Sequence, residues 1–167
     1  MNPKEVIKKT FIFSNLDDPE VEEILRISHK QRFPKGKTIT QEGEQGDSMY
    51  ILFEGSVEVS KTLTMRLEEG DFTEREKVLT RFKAEDNVVF GEMAMIDKEK
   101  RSASVVTTTD CVILEIRREH LLSLAEKRPE IGVKILRRIA ELLARRLRES
   151  SQDVIRLSTA LSIALGT

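Results

Sequence analysis

Between about Arg32 and Ile116 the chain is a series of short β-branched runs, each cut off by turn residues, and this most narrows the folds open to it. Lys35-Gly36-Lys37 precedes Thr38-Ile39-Thr40, and Gly43 to Asp47 precedes Met49-Tyr50-Ile51-Leu52-Phe53. Glu54-Gly55 separates that run from Val57-Glu58-Val59; Val78 to Phe82, Ser102 to Thr108 and Val112 to Ile116 alternate. β-Branched and aromatic residues suit a pleated, half-buried surface, and Gly, Asn and Asp suit the turns between. Many short strands at close spacing specify an antiparallel barrel or jelly roll. The charged stretch Lys61 to Lys77, with Glu68, Glu69 and Asp71, is expected as a long, mobile hairpin connection.

Helical patterns flank this zone. Residues 1–31 read as an N-terminal helical segment, with Asp18 as N-cap, Pro19 at the first helical position and Val21, Ile24 and Leu25 at helical spacing. Residues 32–116 form the β zone and residues 117–167 the C-terminal helices. Glu119 to Arg128 is a short helix, and Pro129 opens a long one. Leu136, Ala140, Leu143, Leu147, Ser150, Val154, Leu157, Leu161 and Ala164 follow a 4-3 spacing, the seam of a two-stranded coiled coil. A helix lying on its own barrel is the competing reading, and both hold if they apply to different turns. Ser150-Ser151 marks a place for a kink or restart. The class is mainly β with flanking α, and 167 residues suit effectively one domain.

Composition removes several functions. Lys+Arg number 28 against 29 Asp+Glu, so no global charge draws the chain to nucleic acid or an anionic membrane. No apolar run reaches the roughly 18 residues a membrane span needs, and the N-terminus lacks a secretory signal pattern. The single Cys111 fits a reducing, cytoplasmic setting. Two histidines and one cysteine leave little for a metal site, and no enzyme is expected. His29 and His120 fall on expected helices as surface or packing residues. Lys134, Arg137, Arg138, Arg145, Arg146 and Arg148 make a basic helix, more simply a solvated face than a nucleic-acid contact.

The informative chemistry lies in Phe90-Gly91-Glu92-Met93-Ala94-Met95 and in Arg101-Ser102-Ala103-Ser104. Gly91 permits close backbone approach or a positive φ. Helix formers follow it, and the first amides of a short helix there would be free for an anion. Arg101 stands nine residues after Glu92, and the loop Ile96 to Lys100 can fold both side chains toward one pocket. Free amides beside a guanidinium fork suit a phosphate. A glutamate suits a hydroxyl donor such as a ribose. A plain surface ion pair between Glu92 and Arg101 is the competing reading.

These residues resemble the cyclic-nucleotide-binding domain family, the type found in bacterial catabolite activators and kinase regulatory subunits. The resemblance covers about Phe11 to Ala164. Phe13-Ser14-Asn15-Leu16 resembles the entry segment, Gly43 to Val57 a second signature, and Phe90 to Ala94 with Arg101-Ser102-Ala103 the phosphate-binding cassette. It implies that Arg101 binds the cyclic phosphate and that Glu92 accepts from the ribose 2′-hydroxyl. Amides near Gly91, Met93, Ala94 and Ala103, with the Ser102 hydroxyl, complete the cradle. Ser150 and Ser151 resemble the activators' base-contacting turn, one acting from a partner subunit, or are a polar break in the seam. The ligand implied is cyclic AMP (cAMP) or cyclic GMP, with no metal. Asn87 stands where the family usually has Gly, and Met93 and Met95 stand where branched residues are common. The chain ends at Thr167, where the activators continue into a helix-turn-helix. The expectation is a regulatory module that moves its C-terminal helices, dimerises through the last one and signals to an unknown downstream protein, without a DNA-binding domain or membrane contact. The alternative is a non-binding interaction protein on the same fold.

Overall fold

The structure is a computed structural model and describes residues 2–68 and 71–166, with side chains described outside 63–75. Asn2 caps α1 (Pro3–Lys9), and a 3-10 turn (Phe11–Phe13) leads to α2 (Asp18–Ile27). The cap of α2 is Asp17, one residue before the expected Asp18. Its carboxylate accepts from the Glu20 amide and the Glu20 carboxylate accepts from the Asp17 amide, each at 2.9 Å. A capping box needs the acid three positions after the cap, a spacing that Asp17 has and Asp18 lacks. β1 (Ser28–Phe33) follows directly, so His29 lies on a strand instead of the expected helix.

The remaining strands are β2 (Thr38–Thr40), β3 (Ser48–Glu54), β4 (Ser56–Glu68), β5 (Asp71–Lys83), β6 (Val89–Phe90), β7 (Ser104–Thr107) and β8 (Cys111–Arg117). They form two antiparallel sheets, ordered β1-β8-β3-β6 and β2-β7-β4-β5. The jelly-roll expectation holds as two packed sheets, not as a closed barrel. Tyr50, Leu52 and Ile113 of the first sheet meet Val57 and Val105 of the second. Met49, Ile51, Phe53, Leu114 and Ile116 turn the other way, onto Ile7, Phe13, Ile24, Leu121 and Ile135 of the helices. β3 and β8 of the first sheet are thus covered on both faces. Residues 112–116, expected to alternate, are all buried, as in other doubly covered strands.

The segment expected as a mobile connection is a paired ribbon. Its register runs from Ser56↔Lys83 through Lys61↔Lys77 to Glu68↔Asp71, and residues 69–70 lie outside the described residues. α3 (Arg118–Lys127) leads into α4 (Pro129–Leu165), 37 residues long and continuous through Ser150-Ser151, so the helix does not restart there. α4 buries Ile131, Ile135 and Ile139 on its own body. Gly132 lets it cross α3 closely: a Cβ there would stand 2.5 Å from that of Ala125.

Candidate ligand-binding site

β6 ends at Phe90, and Gly91, at φ +74°, turns the chain into a 3-10 turn (Glu92–Met95). A side chain at Gly91 would be strained by its φ and would also place Cβ 2.6 Å from Arg101 Nη1 and 2.9 Å from the Ser48 carbonyl. Asn87, the residue standing for the usual Gly, adopts φ +50° and donates from Nδ2 to the Glu85 carbonyl at 2.8 Å. Asn tolerates this left-handed conformation through such local bonding, so the turn before the cassette is kept.

Arg101 is held by the loop after β2. Its amide donates to the Glu44 carbonyl at 2.7 Å, and its carbonyl accepts from the Gly43 amide at 3.0 Å. Nη1 donates to the Ser48 carbonyl at 2.7 Å, and the guanidinium lies 5.5 Å from the Tyr50 ring centroid. A Cβ on Gly46 would fall 1.9 Å from Arg101 Nε. The stretches 43–57 and 90–103, separate in the sequence, therefore fold around one guanidinium. Tyr50 stacks on Phe90 at 5.3 Å, and burial raises its phenol above the ordinary value despite the opposing Arg101 charge.

Glu92 is 1% exposed. Its Oε1 accepts from Arg146 Nη1 of α4, and its Oε2 is buried with no partner. The surface pair with Arg101 is therefore not formed: the carboxylate belongs to the pocket wall and is matched from α4. Arg146 was missed as a site residue. It stands among basic neighbours on α4, and no local motif singles it out.

Gly91, Glu92, Met93, Ala94, Arg101, Ser102, Ala103 and Arg146 line one pocket of about 240 Å³, completed by Thr40, Val59, Thr80 and Phe82 of the second sheet. Ser150 and Ser151 are exposed and outside it; Ser151 Oγ donates to the Leu147 carbonyl at 2.8 Å. Most of the basic helix is engaged within the chain. Lys134 Nζ donates to Glu20 Oε1 at 2.6 Å, and Arg137 and Arg138 pair with Glu141. Arg138 and Arg145 cover Phe11, and Arg146 takes Glu92. Arg137, Arg145, Arg146 and Arg148 are nevertheless exposed, as a solvated face requires. Among the described residues, no cluster of three or more His, Cys, Asp or Glu could hold a metal, and no helix is long and apolar enough to cross a membrane.

A jelly roll whose pocket sets a glycine-shaped turn and an arginine beside a buried carboxylate narrows the class of domain, and sequence comparison identifies the family. Residues 30–128 match the family profile of the cyclic nucleotide-binding domain. The CRP-like cAMP-activated global transcriptional regulator of Mycobacterium tuberculosis is 31% identical over 150 residues, covering 90% of this chain and 61% of that protein. The cyclic AMP receptor protein of Thermus thermophilus is 30% identical over 152 residues, covering 91% and 64%. The crystal structure of Thermus thermophilus catabolite activator protein superposes with a TM-score of 0.74 at 31% identity, over 89% of this chain and 63% of that one. A cyclic nucleotide-binding domain from Methylobacillus flagellatus also gives 0.74, at 26% identity, over 92% and 81%. The chain belongs to the cyclic nucleotide-binding domain family. It spans 61% and 64% of the length of these two curated relatives.

Proposed function

We propose that this domain is a non-catalytic, cytoplasmic sensor of a cyclic purine nucleotide, taking cyclic AMP in preference to cyclic GMP. The observation that carries the reading is Glu92, a carboxylate buried in the pocket wall with Oε2 unpartnered. A buried acceptor without a donor is costly, and a ribose 2′-hydroxyl supplies the donor. Arg101 takes the cyclic phosphate, with the amides of Gly91, Met93, Ala94 and Ala103 and the Ser102 hydroxyl around it. The cAMP-dependent relatives support the ligand class.

Signalling passes through α4, because Arg146 of that helix and the ribose meet on one carboxylate, at Oε1 and Oε2, and ligand shifts the balance between two placements of the helix. A homodimer forms along the seam, where Leu147, Val154, Leu157 and Leu161 are each 60% or more exposed. In that dimer Ser150 and Ser151 reach the base, one from the partner, and the moved helices address a downstream protein.

Calorimetric titration with both nucleotides tests the reading. Ligand at a hundredfold excess over its dissociation constant should stabilise the fold by about 2.7 kcal/mol. Arg101→Lys loses the guanidinium fork and should weaken binding by at least about tenfold. Equal binding by that variant would remove Arg101 from its role. A second reading, a non-binding interaction domain, is favoured by Arg146 already matching the charge of Glu92. It predicts no melting shift with either nucleotide.

A further inference from the structure

The charges of α4 run out before its apolar residues do. Arg148, Glu149, Asp153 and Arg156 follow the pocket contact of Arg146, and from Leu157 to Leu165 there is no charge, in a chain that is 34% charged. At about 100° per residue, Ile163, Ala160, Ala164, Leu157, Leu161 and Leu165 follow one another around the axis over an arc of about 200°, and Ser158, Ser162 and Thr159 fill the remainder. Every one of these residues is exposed in the single chain, Ile163 at 77% and Leu165 at 67%. A two-stranded seam covers only Leu157, Leu161 and Ala164 of them, about 60° of the same circle. The positions flanking the seam change along the helix: Arg146 with Ser151, Asp153 with Ser158, then Ala160 with Leu165. Polar flanks suit a pair of helices in water, and apolar flanks suit a helix with neighbours on two sides.

We infer that the last turns of α4, Leu157–Leu165, join two dimers of this chain into a tetramer, four helix ends packing as one short bundle. This rests on the homodimer along the seam proposed above. The seam beyond Arg146 is thin for two helices: Leu147, Val154, Leu157 and Leu161 are its large side chains, and Ser150 interrupts them. A second dimer brings the same uncharged arc to the contact, so neither side buries a charge. It also covers Ile163 and Leu165, which a two-helix pair leaves in water. Ala160 and Ala164 let the helices come close. The contact continues the seam, and twofold symmetry closes the assembly at four chains.

The test weighs the full chain by sedimentation equilibrium over a range of concentrations, without nucleotide. Wild type should pass from two chains to four as concentration rises. Ile163→Glu lies outside the seam and should stop at two chains. Its dimer–tetramer dissociation constant should rise at least about a hundredfold, because four carboxylates would be buried without partners. Ile163→Leu should keep the four-chain species. Val154→Glu lies in the seam and should give single chains. Ile163 is exposed in the single chain, so Ile163→Glu should melt with wild type in dilute solution, which shows that its fold is intact.

Wild type that stops at two chains overturns the tetramer and leaves the homodimer standing. Wild type that stays a single chain at every concentration overturns both. A four-chain species that Ile163→Glu does not disturb places the contact elsewhere and overturns the inference. A two-chain wild type that co-sediments with phosphatidylcholine vesicles, and no longer does so as Ile163→Glu, gives this arc to a lipid surface and likewise overturns it.

Discussion

The two halves of α4 carry one heptad pattern and meet different surroundings. Up to Arg146 the helix is stitched to its own chain by Ile131, Ile135 and Ile139 in the core, and by Lys134, Arg138, Arg145 and Arg146 on α2, the N-terminal turn and the pocket. From Leu147 to Leu165 every residue is exposed, Val154, Leu157 and Leu161 among them. The seam at Leu136, Ala140 and Leu147 is exposed and lies apart from the buried isoleucines, whereas its Leu143 packs against the core. One helix therefore carries two apolar stripes, one spent on the domain and one left for a second helix. Periodicity marks both stripes and does not say which partner each will have.

Truncating the proximal stripe should have the largest effect. Ile139→Ala leaves a cavity in the core that α4 shares with the N-terminal helices and the first sheet, and should cost about 2–5 kcal/mol in chemical denaturation, at every protein concentration. A loss below about 1 kcal/mol would place α4 off the body in solution and dissolve the contrast between the halves.

The boundary between the halves is Arg146. Arg146→Gln removes the charge matched to a carboxylate that stays buried, and should destabilise the ligand-free fold by about 1–3 kcal/mol. Saturating nucleotide should narrow that loss, since a ribose hydroxyl gives Glu92 another partner. An equal loss with and without ligand would show that Glu92 does not change partners.

The distal stripe should behave oppositely to Ile139. Leu157→Ala should leave dilute-protein stability within about 0.5 kcal/mol of wild type, as at other exposed sites. It should also lower Tm at high concentration, where pairing adds stability by mass action. A Tm independent of concentration in both proteins would leave the seam without a second copy.

Several of these features could be read from residue types and spacing, and others could not. Glu92 and Arg101 are legible because Gly91 and the nine-residue interval define a turn and a return, both local properties. Arg146 is not, since only the rotation of α4 against the sheets decides which of its arginines faces the pocket. The β4–β5 ribbon was hidden by its charges, although Leu63, Met65 and Leu67 alternate with Thr62, Thr64 and Arg66 in the sequence. β3 and β8 showed their strand character but not their double burial, because the helices covering their second face come from both ends of the chain.

The smallest expected effect is also the most local. Tyr50 is the chain's only tyrosine and there is no tryptophan, so tyrosinate absorbance in the wild-type protein reports that one phenol. Burial raises its pKa above 10.0, with the Arg101 charge pulling the other way. A raised folded-state value means that the neutral phenol is the favoured form in the fold. Its stabilising contribution is complete below about pH 10, the unfolded value, and is lost as pH rises through the folded one. The absorbance midpoint should therefore lie above 10, and Arg101→Gln should move it further up by removing the opposing charge. Leu157→Ala should leave it unchanged, because the distal half of α4 makes no contact with the pocket of its own chain. A midpoint at the ordinary value, or one that follows Leu157→Ala and ignores Arg101→Gln, would mean that Tyr50 does not lie beneath the Arg101 guanidinium.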